Sequence, residues 1–253
     1  MTRALAALVR AVCGRRARRA LRATRLWVRQ RLGLSFYRPV QIARRVELHG
    51  DPEYGGWRIC PDGVGAQSVV YDVGVGEDLS FAASLIRTYG LRVWAFDPTP
   101  RSIEWVERQP RSPELRFQPC GIAEFDGAAT LYLPDDPRFV SGTLIRDGHH
   151  GGGAHRVLVK RVATVMAELG HRRVDILKLD IEGAEYGVLH DVLRAGLDVE
   201  QILVEFHRAP GSADYAPAAA AIQELNRHGY RIFAVGHGTD FSLIRTSGPD
   251  RRT

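Results

Sequence analysis

The sequence predicts an α/β fold, a mainly parallel sheet covered on both faces by helices. Three observations carry this. From about residue 68, short apolar runs rich in Val, Ile and Phe alternate with segments of helical spacing, as in parallel strands joined by helical crossovers. Several of those runs end in glycines or an acid, and in open α/β sheets ligands bind beyond the carboxyl ends of the strands. The composition, 45% hydrophobic and 25% charged over 253 residues, is that of a soluble globular chain of one large domain, or one domain with an added arm.

The arm comes first. Residues 1–46 hold 13 Arg and no acid, which leaves 22 of the 35 basic residues to set against all 29 acids in the remainder. The chain therefore divides into a basic helical arm, residues 1–39, and a mildly acidic domain, residues 40–253. Ala, Leu and Arg favour helix, and Leu5, Leu8, Val9 and Val12 share one face. Arginines interrupt every apolar run, which argues against a cleaved secretory signal. Three readings suit the arm: an amphipathic helix on anionic lipid through residues 1–32, a nucleic-acid contact, and a solvated extension. A mitochondrial transit peptide has a similar composition. The expected location is cytoplasmic, with peripheral membrane contact through the arm, and nucleic acid is not the partner expected. No apolar run is long enough to span a bilayer. Cys13, Cys60 and Cys120 have no CxxC spacing, which suits a reducing compartment.

In the domain, "SVVYDVGVG" reads as the first core strand and "EDLSFAASLIRTYG" as its helix, with Gly90 as C-cap. "LRVWAFDP" is the second strand, and Thr99-Pro100 open the next helix. "LRFQPCGI" is the third strand, "VDILKLDIEG" the fourth with the helix "EYGVLHDVLRAG", and "EQILVEFH" the fifth. "YAPAAAAIQELNRHGY" is another helix; "RIFAVGH" and "DFSLIRT" form a closing hairpin whose antiparallel strand lies at the sheet edge. Two regions leave this alternation: 47–65 is turn-rich, and 127–162 reads as irregular or hairpin structure, with the length and glycine content of a lid. His149 and His150 at its glycine-rich tip have no third ligand at a suitable spacing, so no metal site is expected there.

The strand ends gather the chemistry. The first ends in Asp72-Val73-Gly74-Val75-Gly76, the second in Asp97-Pro98, the third near Gly121-Ile122, the fourth in Asp180-Ile181-Glu182-Gly183, the fifth in Glu205-Phe206-His207. The glycines let a ligand approach the backbone, and an acid after the second strand can accept from both ribose hydroxyls, so these positions suit an adenosine-bearing cofactor. Glu77 and Asp78 follow the glycines at once and the third glycine of the dinucleotide fingerprint is absent. Those acids would repel a pyrophosphate, whereas S-adenosylmethionine carries a sulfonium and an ammonium and no phosphate. Glu77 and Asp78 also suit a helix N-terminus.

In order and spacing, "VVYDVGVGEDLSF", "VWAFDPTP", "GIAEFDG", "DILKLDIEGAEYGVL" and "ILVEFH" resemble the FkbM-type S-adenosylmethionine-dependent methyltransferases over roughly residues 47–246, the KxDxEGxE element from Lys178 to Glu185 being the most specific part. "GVGEDLSF", "FDPTP" and "YGGW" resemble a methyltransferase-like subgroup. The resemblance implies a class I methyltransferase fold, Rossmann-like, with seven mostly parallel strands, the last antiparallel, and helices on both faces. It implies O-methylation of a small molecule or sugar. By position it places Asp72, Val73, Gly74 and Gly76 along the methionine part of the cofactor, Asp97 and Pro98 at the ribose, Gly121 and Ile122 near the adenine, and Asp180 and Glu182 where cofactor and acceptor meet. The sequence departs from the common pattern where Asp78 replaces a glycine and Asp97 a glutamate.

A hydroxyl acceptor needs a base, and the candidates are Asp180, Glu182 and His207. Histidine has the pKa best matched to neutral pH, and Asp180 ends an otherwise apolar central strand. A metal assisted by Asp180 and neighbouring carboxylates stays open, but no decisive ligand set is present. The expected function is methyl transfer from S-adenosylmethionine to a hydroxyl of a small molecule, sugar or glycolipid. The alternative is a degenerate cofactor-binding interaction module at a membrane. A nicotinamide dehydrogenase is disfavoured by the acids after Gly76.

Overall fold

The structure is a computed structural model that describes residues 38–246 except 54, 111, 137, 147–150, 208–214 and 237–238. The helical arm predicted over residues 1–39, apart from its last two residues, and the His149-His150 tip lie outside the described residues.

The scaffold is a seven-stranded sheet built from β3 (Val69–Val73), β4 (Arg92–Phe96), β5 (Leu115–Gln118), β9 (Val174–Leu179), β10 (Val199–Glu205), β11 (Tyr230–Val235) and β12 (Asp240–Arg245), in the order β11-β12-β10-β9-β3-β4-β5. Neighbours are parallel from β10 through β5, and β12 runs antiparallel to both β10 and β11. This matches the arrangement the resemblance implies, seven mostly parallel strands with the last antiparallel. The antiparallel strand is not at the edge, as a simple terminal hairpin would have it: β12 sits between β10 and β11. The helix after β10 carries the chain one strand position further out. The short turn to β12 forces reversal, and β12 fills the gap by pairing on both sides.

Five helices follow, α1 (Ser80–Tyr89), α2 (Pro100–Arg108), α3 (Val162–Leu169), α4 (Glu185–Arg194) and α5 (Ala216–Arg227). α1 ends at Gly90, whose left-handed backbone lets its N–H reach Ile86 O. At its start Asp78 accepts the Ser80 N–H at 2.7 Å and the Ser80 hydroxyl at 2.9 Å. Thr99 precedes α2 without a side-chain cap bond; its N–H instead donates to Asp97 Oδ1. α3 has no counterpart in the sequence reading, although Val162, Val165 and Met166 are buried at helical spacing and Gly170 closes it in the left-handed region.

The core lies on both faces of the central strands. Val70, Tyr71, Ile176, Leu177, Ile202 and Leu203 are fully buried, which accounts for the near-continuous apolar runs in β3, β9 and β10.

The run "LRFQPCGI" is not one strand. β5 stops at Gln118, and Gly121–Ile122 form β6 in a second sheet, ordered β6-β8-β7 with β7 (Gly127–Tyr132) and β8 (Ala154–Lys160). Pro119 explains the break, because it has no N–H for the ladder; Cys120 N then turns back onto Gln118 O at 2.8 Å. The 127–162 region is thus a β7–β8 antiparallel pair. The turn-rich 47–65 region contains a two-stranded ribbon, β1 (Glu47–His49) with β2 (Trp57–Ile59). Cys60 and Cys120 are free and buried.

α3 and α4 are stapled by Arg161, whose guanidinium donates to both oxygens of buried Asp191, at 2.9 and 2.6 Å. Replacing Asp191 with Ala leaves that guanidinium without its fork partner. We expect a loss of about 1–3 kcal/mol, tempered by the partial exposure of Arg161. Urea unfolding checks it, with the m-value unchanged.

Candidate active site

A cleft of about 290 Å³ opens beyond the carboxyl ends of β3, β4, β9 and β10, close to the lower size of small-ligand pockets, roughly 300 Å³. Asp72, Val73, Gly74, Gly76, Asp97, Pro98, Gly121, Ile122, Asp180, Glu182 and His207 all line it. These residues, expected from the sequence to form the site, therefore converge on one place.

The turn after β3 is tightly determined. Gly74 has φ +80°, and a Cβ there would fall 1.8 Å from Asp180 O, so only glycine lets this turn lie against the end of β9. The Gly74 N–H donates to Phe96 O at 2.9 Å, Asp78 N–H to Val75 O at 3.0 Å, and Gly76 N–H to Asp97 Oδ2 at 2.8 Å. These donors are turned inward. An anion cradle needs such N–H groups facing the ligand, so this turn is not built for phosphate. A Cβ on Gly76 would meet nothing within 4 Å, which leaves open space against the backbone. Asp97, 5% exposed, accepts one N–H on each oxygen and keeps a lone pair on each for a ligand hydroxyl. Ser102 Oγ, at the start of α2 and facing the same cleft, is buried without a hydrogen-bond partner among the described residues.

Glu77 and Asp78 part company. Glu77 receives both Nε and Nη2 of Arg101, at 2.7 and 3.0 Å on the outer surface. Asp78 starts α1 while lining the cleft. Gly55 lies over it, where a Cβ would collide with Asp78 Oδ2.

Below the turn, Asp72 and Lys178 are opposed across the β3–β9 ladder. The Lys178 ammonium stands 3.0 Å from Asp72 Oδ1 and donates to Gly74 O at 2.7 Å. Burial pushes the Asp72 carboxyl up and Lys178 pulls against that. Burial likewise works against the Lys178 charge, yet Asp72, with Asp180 and Asp97 nearby, holds the ammonium above its ordinary pKa. Asp72 thus forms the floor of the cleft with its charge already answered.

The other end of the cleft is crowded with acids. Asp180, Glu205 and His207 each present a donor atom within 4.8 Å of the others. Glu182 Oε2 is 3.4 Å from His207 Nε2, and Asp180 Oδ1 is 3.9 Å from it. His207 Nδ1 donates to Glu185 Oε1 at 2.8 Å; the carboxylate can only accept, so that nitrogen carries the proton. Burial opposes a charge on the His207 ring, but Glu185, then Glu182 and Asp180, lift its pKa to about 10. With these acids around it, the His207 ring is the positive group of this cluster. Burial raises Asp180 to about 6 against the pull of Lys178 and His207. Burial also raises Glu205 to about 7, with Asp180 adding to it. The expectation that His207 is the base matched to neutral pH changes accordingly: the ring is charged there, and the two strand-end carboxyls titrate in the useful range.

Sequence reasoning reached Glu205 as a strand end without giving it a role. It missed the walls: Gly55, Gly56 and Trp57 from the β1–β2 ribbon, and Val140, Ser141, Gly142 and Leu144 from the β7–β8 connection. "YGGW" was the available signal for the first wall. The second lies within 127–162, whose length and glycine content are those of a lid, and it is held by the Tyr132–Thr143 bridge and by the Thr143 hydroxyl on Glu182 O.

Comparison with known proteins is consistent with this geometry. The sequence matches the family model "Methyltransferase FkbM domain" over residues 63–232. It is 38% identical over 120 residues to the AMB antimetabolite synthetase AmbE of Pseudomonas aeruginosa, a match covering 46% of this chain and 5% of that protein. It is 23% identical over 168 residues to the human probable methyltransferase-like protein 24, covering 62% of this chain and 39% of the relative. The chain thus spans well under half the length of these curated relatives. Among solved structures, an FkbM methyltransferase from Methylobacillus flagellatus superposes with a TM-score of 0.44 at 15% identity, over 72% of this chain and 44% of that one. The N-terminal domain of human METTL16 in complex with SAH gives 0.40 at 13% identity, over 72% and 62%. The fold assignment rests on the strand order and the family match.

Gly74 is the position where the turn tolerates least. Gly74→Ala combines a left-handed backbone with overlap onto Asp180 O. We expect it to cost at least about 2 kcal/mol, read as a fall in thermal midpoint, whereas Gly76→Ala, with open space around it, costs less.

Proposed function

The chain belongs to the FkbM methyltransferase family, and from that premise we propose that it O-methylates a hydroxyl on a small molecule, sugar or glycolipid. The family is one of S-adenosylmethionine-dependent enzymes, so S-adenosylmethionine is the methyl donor. The observation that carries the hydroxyl assignment is the Asp180 carboxyl, at the end of β9 inside the cleft, held at a pKa of about 6. A hydroxyl acceptor must lose a proton, and a carboxylate poised near neutrality can take it.

The residues present suit the donor. Asp97 retains acceptor capacity for two ribose hydroxyls. The open backbone at Gly76 allows close approach, and the unpartnered Ser102 hydroxyl supplies a buried polar group beside it. The surplus of carboxylates favours a cation over a phosphate. When bound, the donor supplies a methyl group activated on a sulfonium. The protein's own part is alignment and proton removal: Asp97 would hold the ribose end of the donor, the Gly74 turn would lie against it, and Asp180 would take the acceptor hydroxyl's proton. Ser141, Gly142 and Leu144 then form the wall nearest the acceptor.

A catalytically inert cofactor-binding module is not favoured, since acids stand at the ends of all three central strands. The proposed membrane contact depends on the arm, which lies outside the described residues. Among the described residues no helix is long and apolar enough to cross a membrane.

Calorimetric titration of the full chain with S-adenosylmethionine and S-adenosylhomocysteine is the first test. We expect micromolar binding, weakened at least tenfold by Asp97→Ala. No binding by the folded protein would sink the reading. With a hydroxylated acceptor from a sugar and small-molecule panel, Asp180→Asn should lower turnover by about 100-fold or more. Asp180 works only when ionised, so wild-type turnover should fall as pH drops through about 6.

A further inference from the structure

Glu185 takes no part in the cleft surface, yet it is the most thoroughly bonded acid near it. Its side chain is fully buried. Oε1 accepts the Ile181 N–H at 3.0 Å and the His207 Nδ1–H at 2.8 Å; Oε2 accepts the Gly183 N–H at 2.9 Å. One carboxylate therefore ties the turn after β9 to the residue after β10. The turn it holds is strained. Glu182 has φ +51°, the one positive value at a non-glycine among the described residues, and such strain persists only where surroundings over-determine it. Glu185 supplies two of the restraints, and Thr143 supplies a third by donating its hydroxyl to Glu182 O at 2.6 Å. The product of this arrangement is a fixed imidazole. Nδ1 is engaged below, Tyr186 donates to His207 O at 2.5 Å, and Nε2 faces Glu182 and Asp180.

We propose that Glu185 is a positioning residue for methyl transfer: from beneath the cleft it locks the turn carrying Glu182 and the ring of His207 together, so that His207 Nε2 faces Asp180 and keeps that carboxylate ionised to take the acceptor's proton. This rests on Asp180 as the base in the function proposed above. The chain of effects runs one way. The Glu185 carboxylate keeps the ring protonated; the ring's charge opposes the burial that would neutralise Asp180. The other charged groups around the ring do not substitute for Glu185. Glu182 and Asp180 face Nε2 from the β9–α4 turn. Glu205 lies on β10 itself with Asp240 of β12 beside it, and Lys178 lies beyond Asp180 on β9. None of these bonds Nδ1.

Glutamine cannot do the same work: its amide has one oxygen for three donors, and its NH₂ would oppose either the Gly183 N–H or the imidazole. The test is nitrogen NMR of the imidazole rings in ¹⁵N-histidine-labelled full-length protein as pH is raised, with His207→Gln to assign the signal among nine histidines. In wild type the His207 ring should stay charged well above pH 8, with Nδ1 the protonated, hydrogen-bonded nitrogen throughout. In Glu185→Gln its proton affinity should fall at least about 100-fold. Once an acceptor is in hand, the acid limb of turnover should move to higher pH in both Glu185→Gln and His207→Gln. S-adenosylhomocysteine affinity should stay within about threefold, because Glu185 does not line the cleft. A wild-type His207 that titrates near the ordinary histidine value overturns the proposal, as does a Glu185→Gln protein whose ring titrates unchanged. Should Glu185→Gln fail to fold, the wild-type titration and the His207→Gln pH profile still decide. Failure of donor binding in the earlier titration would instead strike the methyltransferase reading and leave this titration unaffected.

Discussion

The site hangs on one buried ion pair. Asp72 and Lys178 face each other across adjacent strands at the middle of the sheet, and each would be costly to bury alone. Shifting β3 against β9 by one residue would turn one of the two side chains to the opposite face and separate the pair, so the pair fixes the register. Lys178 also donates to Gly74 O. The same ammonium that sets the strands therefore sets the glycine turn that lines the cleft. Gly74 must press on Asp180 O, and Asp180 N in turn donates to Val73 O at 3.2 Å. The two strand ends that form the halves of the cleft are thus fastened to each other before any ligand is present.

The other half of the cleft is organised against stability. Asp180 and Glu205 have folded-state pKa values of about 6 and about 7, above those of unfolded carboxyls, near 4. The folded chain then holds more protons than the unfolded one in that interval. These groups stabilise the fold at low pH and lose that contribution as pH rises through 6 to 7. His207 has the raised pKa of a histidine with a partner, so its contribution survives to about pH 10 and offsets part of the loss at neutral pH. A buried carboxyl raised toward neutrality, the base proposed for this cleft, is in this way tolerated because a charged ring, itself held by a buried acid, stands next to it.

Much of this was legible in the sequence, and the reason is local. Strands buried on both faces have to be apolar from end to end, so an acid or glycine at the end of such a run marks itself. Asp72, Asp97 and Asp180 were found that way. What escaped needed three dimensions. Pro119 breaks "LRFQPCGI" into strands of two different sheets, and the apolar pattern runs straight across it. β12 enters between β10 and β11 because of a crossover that no residue in β12 records. Val140 to Leu144 form a wall through a bridge to Tyr132 and a bond from the Thr143 hydroxyl to Glu182 O. His207 was legible as a candidate base from its residue type; its charge state depends on three carboxylates, Glu185, Glu182 and Asp180, and no spacing in the chain encodes their sum.

The two acids after the glycines carry the last step. A glycine turn at the head of a helix ordinarily serves an anion, since it offers N–H groups and the positive end of the helix dipole. Here Asp97 takes the Gly76 N–H, Asp78 answers the first turn of α1, and Glu77 is committed to Arg101. The positive potential of the helix start is neutralised by the protein's own carboxylates, and the rest of the cleft adds Asp180, Glu182 and Glu205 against Lys178 and the imidazolium. What remains attractive to such a surface is a ligand that brings hydroxyls for Asp97 and positive charge for the acids. Those two demands favour a sulfonium nucleoside over a pyrophosphate-bearing dinucleotide on electrostatic grounds. Asp in place of Gly at position 78 is accommodated in the same way: its carboxylate takes the Ser80 N–H and hydroxyl at the start of α1, and the space against Gly76 stays open.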